Sequence, residues 1–448
     1  MANVKDLIKD FITIDDALDM DYETTKELQL KHLNKQRTLL GNSKYFVKAE
    51  GSKFIDQNGD EHLDMIGGVG VVTVGNNNEY IWNELEKVFR AKYYMMGTVA
   101  YHSIAAAFAH NMAELSPGGQ LTKMGTATGG AEAIEGSIKL VKLASRTKPD
   151  KDRILACEGA FHGKTTGAVS VGGKEMWRAY QHPLMEDVDH VPYGDAAALE
   201  EALKKGCYMA FYVEPIQGEG GIIVPPAGYL TKCRELCTKY DAIMVVDEIQ
   251  AGCGRTGKMW CVDHEGVIPD VIVFAKGFSG GLIPFGGYIC KEDVYEAAYG
   301  SPETCFHHTA TYQENGMSTA AGLATLQFLL ENDLIKAAGE KGEYLLGRLR
   351  ELKEKYPNVI KEVRGKGMMI GMEFYDVPEG SREGYAENYS DPIQTDLNDT
   401  YRIQCIHTIN NNAVFRFLPA VTITKDEIDY AVNSLESAVK NAIGLTSK

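Results

Sequence analysis

The chain has 448 residues, of which 44 % are hydrophobic and 24 % are charged. This length is too great for one ordinary compact domain, and the apolar fraction is enough to fill a sizeable core. The formal net charge of −16 repels phosphate backbones and anionic lipid, which argues against nucleic acid or a membrane as the main partner. No apolar run approaches the roughly 18 residues that cross a bilayer, and no signal-like segment is apparent at the N-terminus. The nine scattered cysteines fit reduced thiols, so we expect a cytoplasmic protein.

The first clear signal along the chain is a hairpin. Two strand-like runs flank Asn58 and Gly59, two residue types that tolerate a positive φ. The hairpin precedes the main body of the predicted fold.

From about residue 80, amphipathic helices alternate with short runs that are apolar on both faces. Such runs are typical of parallel strands covered by helices on both sides, and we predict strands at 154–156, 210–213, 242–246 and 271–275. Helical patterns at 132–145 and 229–240 fall between them. The alternation predicts an α/β fold whose large domain has a mostly parallel sheet covered by helices.

The C-terminal part changes character. A long helical pattern begins near residue 318, and the final helix opens with a capping box formed by Thr424 and Glu427. We predict an N-terminal segment at 1–70 that packs with the small domain, a large domain at 71–330, and a small α+β domain at 331–448.

Two charged residues close two of the predicted strands. Asp247 ends AIMVVD, and Lys276 follows VIVFA. Ligands of open parallel sheets bind beyond the carboxyl ends of the strands, so both residues are expected at one crevice. A structural ion pair would explain the two charges on their own, because buried charges are costly unless paired.

Pyridoxal 5′-phosphate (PLP) explains more of the residues. A desolvated lysine can form an imine with an aldehyde, and a carboxylate beside a pyridine nitrogen keeps that nitrogen protonated. A phosphate needs N–H groups at a helix start, which the turn before Glu132 would supply through Gly130 and Ala131.

At this point the chain resembles the class III (ω-type) aminotransferases of PLP fold type I. The resemblance runs from about Asn42 to the C-terminal helix. It is carried, in order, by TGGAEAIE, GAFHGKTTGA, VEPIQGEGG, VVDEIQAGCGRTG and FAKGFSGGLIPFGG. Together these motifs are far more specific than any one of them alone.

The resemblance implies a role for each matching residue. Lys276 is the Schiff-base lysine and proton shuttle, and Asp247 pairs with the pyridine nitrogen. The other implied cofactor contacts are Gly130 and Ala131 at the phosphate, Phe161 on the ring face with His162 after it, Glu214, Gln250 at the ring hydroxyl, and Thr311 reaching the phosphate from a partner subunit.

The resemblance also implies two substrate-binding residues. Arg416 matches the arginine that grips an α-carboxylate, and Glu219 matches the acid that pairs with it when no carboxylate is present. No metal is implied. The role of Thr311 implies an obligate homodimer, with a tetramer as a further possibility.

The implied reaction moves an amino group from a primary amine to a 2-oxo acid, 2-oxoglutarate being the expected acceptor. Within the family, the putrescine (diamine) aminotransferases and the acyl-CoA β-transaminases are the groups that the chain resembles most. The donor stays open between a diamine, an ω-amino acid and a β-amino acyl thioester. An epimerase or aminomutase of the same fold, or a non-enzymatic PLP-fold binding protein, are the other hypotheses.

Several residues depart from the family pattern. Gly129 and Ala131 stand where Ser and Thr are frequent, and the run 312–316 reads YQENG where an aromatic residue, two glycines and Asn-Pro are usual. These changes leave Lys276 and Asp247 untouched and put the substrate, rather than the reaction, in doubt.

Three further motifs suggest other chemistry. The glycines at 252, 254 and 257 match a dinucleotide fingerprint, but no helical pattern follows them. The run 277–281 matches the nucleophile elbow of serine hydrolases, without convincing Asp and His partners. His307 and His308 are adjacent and point opposite ways on an extended chain, so a shared metal is not expected.

Overall fold

The computed structural model describes residues 5, 8, 10–39, 44–378 and 387–446. Most of the N-terminal residues that bear on a signal segment lie outside these ranges, so its absence stays an expectation. The residues cluster in two compact units, one made of residues up to Ala49 with Phe54–His62 and the other of Glu50–Lys53 with the chain from Leu63 onward.

In its described residues, the first unit contains three helices and most of two strands. Its elements are α1 (Ile14–Leu18), α2 (Tyr22–His32), α3 (Gln36–Leu39), β1 (Phe46–Glu50) and β2 (Lys53–Asp56), and β3 (Glu61–Asp64) begins in it. The predicted hairpin joins β2 to β3, since the N–H of Asp56 donates to the carbonyl of Asp60 at 3.1 Å. Gly59 supplies the positive φ of its turn, at 84°. The hairpin prediction is confirmed.

The centre of the second unit is a sheet of seven strands in the order β4-β10-β9-β8-β7-β5-β6. β10 is antiparallel to both of its neighbours, and the pairs from β9 to β6 are all parallel. The strands are β4 (Lys123–Ala127), β5 (Arg153–Cys157), β6 (Val188–Val191), β7 (Tyr208–Val213), β8 (Ile243–Asp247), β9 (Val271–Phe274) and β10 (Gly286–Cys290). All four predicted strands and the mostly parallel sheet are confirmed.

Successive residues of the central strands face opposite sides of the sheet, as the side-chain period of two requires. In β8, Met244 and Val246 belong to one buried cluster and Val245 to another. The helices of this part are α4 (Glu79–Arg90), α5 (Ser103–Glu114), α6 (Gly130–Ala144), α7 (Thr166–Val171), α8 (Glu175–Arg178), α9 (Ala196–Leu203), α10 (Tyr229–Lys239), α11 (Glu292–Tyr299) and α12 (Gly316–Glu331). Both faces of the strands are therefore buried, which explains their continuous apolar sequence.

The C-terminal part builds a second, antiparallel sheet in the order β11-β12-β15-β14. Its elements and their neighbours are α13 (Leu334–Lys355), β11 (Ile360–Lys366), β12 (Met369–Phe374), α14 (Ser390–Asp399), β13 (Ile403–Gln404), β14 (Ile406–His407), β15 (Val414–Phe417) and α15 (Lys425–Thr446). Helix α15 begins with the predicted capping box, in which Glu427 N–H donates to Thr424 Oγ1 at 3.2 Å. The α+β character of this part is confirmed.

The domain boundaries proposed near residues 70 and 330 stay predictions, since the compact unit that begins at Leu63 contains both the seven-stranded and the antiparallel sheet. Seven of the nine cysteines are buried, and all nine, which the structure describes, are free thiols. Across the described ranges, no helix combines the length and the apolar character needed to span a bilayer.

Candidate active site

A cavity of ≈ 330 Å³ lies beyond the carboxyl ends of β7, β8 and β9. The strand register puts these ends side by side, because Asp247 of β8 pairs with Val273 of β9. Nine residues that the sequence singled out line this cavity: Gly130, Ala131, Phe161, His162, Glu214, Glu219, Asp247, Gln250 and Lys276. Arg416 contacts one of them, and Thr311 lies elsewhere.

Asp247 is held at the cavity by two donors. His162 Nδ1 lies 2.8 Å from Asp247 Oδ2, and the N–H of Ile249 donates to Asp247 Oδ1 at 2.9 Å. Burial opposes the charged imidazole, but the hydrogen bond to Asp247 and its negative charge raise the pKa of His162. The carboxylate therefore has a fixed orientation at the cavity.

Lys276 follows β9 and begins a short 3₁₀ turn, Lys276–Ser279. Its φ of 48° is left-handed, a conformation that non-glycine residues seldom adopt and that clusters at functional sites. Burial lowers the pKa of Lys276, against the opposing effects of Glu219 and Asp247. No ion pair joins Lys276 to Asp247, two residues that the structure describes fully, so a structural ion pair does not explain them.

The N-terminus of α6 presents free donors to the cavity. The first helical hydrogen bond runs from Ala133 N–H to the carbonyl of Gly129, at 3.0 Å. The preceding N–H groups, those of Gly130, Ala131 and Glu132, find no acceptor among the described residues. With the helix dipole behind them, these groups form a cradle for an anion.

Glu214 clamps two loops at the cavity. Its carboxyl oxygens accept from Phe161 N–H and Gly218 N–H, each at 3.0 Å. Burial raises the pKa of Glu214 to about 7, although nearby His162 opposes that rise. The loop that carries Phe161 is thus tied to the loop that carries Glu219.

Gln250 lines the cavity with an unused acceptor. Its Nε2 lies 3.5 Å from the carbonyl of Val69, and its buried Oε1 has no partner within the described ranges. Val69 belongs to a left-handed turn, Gly67–Gly70, in which its own φ is 65°. Asp64 anchors the turn by accepting from Gly67 N–H at 2.8 Å.

Arg416 and Glu219 form a buried ion pair beside the cavity. Arg416 lies on β15 and is 2 % exposed, and its Nη1 donates to Glu219 Oε1. Glu219 Oε2 accepts from Ile409 N–H at 3.1 Å. Glu219 lines the cavity, whereas the guanidinium of Arg416 contacts Glu219 and does not itself line the cavity.

Thr311 lies away from the cavity of its own chain. It is exposed, and its carbonyl accepts from the hydroxyl of Thr98 at 3.3 Å. Large apolar side chains close in sequence to Thr311 or to Thr98 are also exposed. They are Val99, Tyr101, Phe306 and Tyr312.

Several residues that line the cavity were given no role from the sequence, and four of them follow the left-handed turn or Lys276. Val71 follows the left-handed turn, and Ser279, Pro284 and Phe285 follow Lys276. The last three lie in the FAKGFSGGLIPFGG motif, and that motif could have identified them as site residues from the sequence.

The dinucleotide fingerprint and the nucleophile-elbow pattern both correspond to turns with structural roles. Gly254 and Gly257 take positive φ values of 76° and 88° in turns, and a short 3₁₀ turn, Cys261–His264, follows them rather than an α-helix. The Ser279 hydroxyl donates to the Lys276 carbonyl at 3.1 Å, so it supports the turn of Lys276.

Comparison with known proteins decides the family. The class-III aminotransferase model matches residues 40–439, which is most of the chain. This chain is a class-III aminotransferase. A Schizosaccharomyces pombe protein named as an uncharacterised aminotransferase is 58 % identical over 425 residues, covering 95 % of this chain and 88 % of its own length.

Solved structures agree with this assignment. This aminotransferase superposes on ornithine aminotransferase of Toxoplasma gondii with a TM-score of 0.86 and 26 % identity, over all of both chains, and that structure holds PLP at partial occupancy. An (S)-enantioselective ω-transaminase of Thermomicrobium roseum gives a TM-score of 0.84 at 25 % identity, over 94 % of this chain and 98 % of its own. The fold is therefore PLP fold type I.

Members of the class are PLP-dependent transaminases, which act on amines and oxo acids, and this chain is one of them. Its cavity fits the cofactor. The free N–H groups of α6 suit a phosphate, the buried Gln250 Oε1 lacks a donor, and Lys276 offers an amine that burial disposes to lose its proton.

Proposed function

We propose that this aminotransferase moves an amino group from a primary amine, a diamine or an ω- or β-amino compound, to 2-oxoglutarate. An aliphatic diamine such as putrescine is the leading donor. The pair of Arg416 and Glu219 at the cavity supports this proposal more than any other observation.

The pair suits a site that must accept two kinds of substrate. An unpaired arginine that is 2 % exposed would be costly, and Glu219 removes that cost while a donor without an α-carboxylate is bound. When an oxo acid enters, its carboxylate can replace Glu219 on the planar guanidinium, which binds carboxylates through two parallel hydrogen bonds. One cavity can then serve both halves of the reaction.

Bound PLP supplies an aldehyde carbon that condenses with amines and a ring that withdraws electrons from the amine-bearing carbon. The residues proposed to hold it are Lys276 at the aldehyde, Asp247 at the ring nitrogen, Gln250 at the ring hydroxyl, and Phe161 on the ring face. The N–H groups of Gly130 and Ala131 receive the phosphate.

Lys276 is proposed to move the proton. Burial lowers its pKa, so Nζ is more readily neutral than an exposed lysine and can accept a proton from the amine-bearing carbon. Asp247, fixed by His162 and Ile249, keeps its negative charge aimed at one side of the cavity. The apolar side chains of Val71, Pro284 and Phe285 limit water around the exchange.

The enzyme is further proposed to be a cytoplasmic homodimer, in which Thr311 of each subunit reaches the phosphate site of the other. The exposure of Thr311 supports this arrangement, because a residue with that role must face outward on its own chain. The exposed Val99, Tyr101, Phe306 and Tyr312, at 81 %, 108 %, 74 % and 59 % exposure, supply apolar surface for the interface.

A donor panel tests the proposed activity. Purified enzyme with PLP is given putrescine, cadaverine, 4-aminobutyrate, ornithine or a β-amino acyl-CoA, with 2-oxoglutarate as acceptor and glutamate as the measured product. Diamines are expected to give the highest kcat/KM. The highest value with the acyl-CoA would replace the donor, and an amine that converts the cofactor without any oxo acid restoring it would favour an epimerase or aminomutase.

A further inference from the structure

The loop 408–413, between β14 and β15, reaches the residue that pairs with Arg416. Its backbone makes two hydrogen bonds to Glu219. Ile409 N–H donates to Glu219 Oε2 at 3.1 Å, and Asn410 N–H donates to the Glu219 carbonyl at 3.1 Å. Glu219 is therefore fixed by this loop as well as by Arg416.

Through Asn410, the loop also contacts segments that follow β5 of the seven-stranded sheet. Asn410 Nδ2 donates to the carbonyl of Gly159 at 3.1 Å, and Trp177 Nε1 donates to Asn410 Oδ1 at 2.8 Å. Lys174 Nζ donates to the Asn410 carbonyl at 3.2 Å. Gly159 lies two residues before Phe161, so the same asparagine joins the loop to the segment at the ring face.

Of these two donors, the Ile409 N–H acts on one state of the Glu219 side chain only. While Glu219 occupies Arg416, its second oxygen is satisfied by Ile409 N–H. For a substrate carboxylate to take Arg416, Glu219 must leave, and the bond from Ile409 is then broken. A ligand or contact that favours one of two states shifts the balance between them by its differential free energy.

We propose that Asn410 is a specificity-determining residue of the aminotransferase, which holds the Ile409 amide in place and so biases Glu219 toward Arg416. This inference rests on the proposed alternation of Glu219 and a substrate carboxylate at Arg416. It favours amine donors without an α-carboxylate and weakens the binding of 2-oxo acids. Trp177, which orients the Asn410 amide, has the same effect in a weaker form.

The test compares Asn410→Ala with wild-type holoenzyme in two measurements. The first is the Kd of 2-oxoglutarate for the PLP form, measured by calorimetry, which requires no turnover. The second is the kcat/KM of the half-reaction with putrescine alone. We expect the Kd to fall roughly fivefold and the kcat/KM with putrescine to fall roughly fivefold, which corresponds to the net worth of one ordinary hydrogen bond.

Two further variants complete the design. Trp177→Phe removes the donor to Asn410 Oδ1 and is expected to change both constants in the same directions by a smaller factor. Asn412→Ala is the matched control, because its exposed side chain lies on the same loop away from Glu219. We expect wild-type constants from it.

A merely structural role for Asn410 would lower both substrates' affinities together. Tighter binding of the oxo acid together with a slower reaction of the amine therefore supports the inference. Weaker binding of the oxo acid, a faster reaction of the amine, or no change in either would overturn this inference alone. A wild-type enzyme that binds no 2-oxo acid at all would instead overturn the proposed function, together with this inference.

Discussion

His162 Nδ1 and Asp247 Oδ2 lie 2.8 Å apart, and both side chains are buried at the cavity. Burial lowers the pKa of His162, but the hydrogen bond to Asp247 and its charge outweigh burial and raise the pKa above its ordinary value. The two residues come from the loop after β5 and the end of β8, so the contact exists only in the folded chain.

Replacing His162 tests what this contact does. We expect His162→Ala to lower kcat roughly 10- to 100-fold, since a hydrogen bond to a charged group is worth about 1.5–3 kcal/mol. His162→Gln, which can still donate to Asp247, should recover part of the loss. The kcat of both variants is measured by steady-state kinetics, together with the absorbance spectrum of the bound cofactor. Equal activity in wild type and His162→Ala would refute a role of His162 in orienting Asp247.

Lys276 is the residue on which the chemistry depends. Lys276→Ala is expected to abolish transamination, because no other described amine is placed at this cavity. Lys276→Arg keeps a positive charge but stays protonated, so it should be equally inactive. Borohydride reduction followed by peptide mass spectrometry should label wild-type Lys276 and neither variant; normal turnover by Lys276→Ala would contradict the assignment.

Arg416 and Glu219 should respond in opposite ways. Arg416→Ala removes the carboxylate-binding group, so the half-reaction with 2-oxoglutarate should slow by about 100-fold or more, in line with a buried charged pair of about 3–5 kcal/mol. Glu219→Ala leaves Arg416 free, so oxo-acid binding should tighten while the reaction with diamines weakens. Rapid-mixing kinetics of each half-reaction separates the two effects. Parallel losses in both variants would indicate that the pair is only structural.

Thr311 can be tested by complementation between subunits. We expect Thr311→Ala and Lys276→Ala homodimers each to be impaired, but mixed dimers to regain activity, because one of their two sites combines a wild-type lysine with a wild-type threonine. The measurement is activity after co-expression with two affinity tags. Serine at position 311 should behave as wild type. No recovery in purified mixed dimers would mean that Thr311 does not act across the interface.

Glu248 gives a pH dependence of stability. It is fully buried next to Asp247, accepts from Val262 N–H at 2.9 Å, and burial raises its pKa to about 8. An acid whose folded-state pKa is raised binds more protons folded than unfolded, so stability falls as the pH rises from its unfolded pKa of about 4.5 toward 8.

Glu248→Gln removes this titration and resembles the protonated acid in shape. We expect it to melt like wild type near pH 4.5 and to be more stable above pH 8, by more than about 1 kcal/mol. Thermal or urea unfolding across pH measures the difference. The exposed Glu343→Gln is the control, with no pH-dependent change. A constant difference at all pH values would exclude Glu248 as its source.

Much of the fold could be predicted because its signals are local. The strands β7, β8 and β9 are apolar on both faces since helices cover both sides of the sheet, and that pattern is visible without any tertiary information. The hairpin at Gly59 and the capping box at Thr424 likewise depend on residues a few positions apart.

The site was predictable only in part. Lys276 and Asp247 could be assigned to one edge because parallel strands end together, and the family motifs added most of the remaining lining residues. The contacts between them could not be predicted. Glu214 accepts from two separate loops, and Arg416 meets Glu219 across 197 residues, so these pairings depend on how the two sheets pack.

The sequence by itself thus determined the class of chemistry and the edge of the sheet where it occurs, because strand ends and helix starts are set by short-range pattern. The tertiary structure alone decided that His162 faces Asp247, that Asn410 fixes the partner of Arg416, and that Thr311 faces outward. Those relationships join distant segments, and a hydrogen bond between distant segments leaves no periodic trace in the order of the residues.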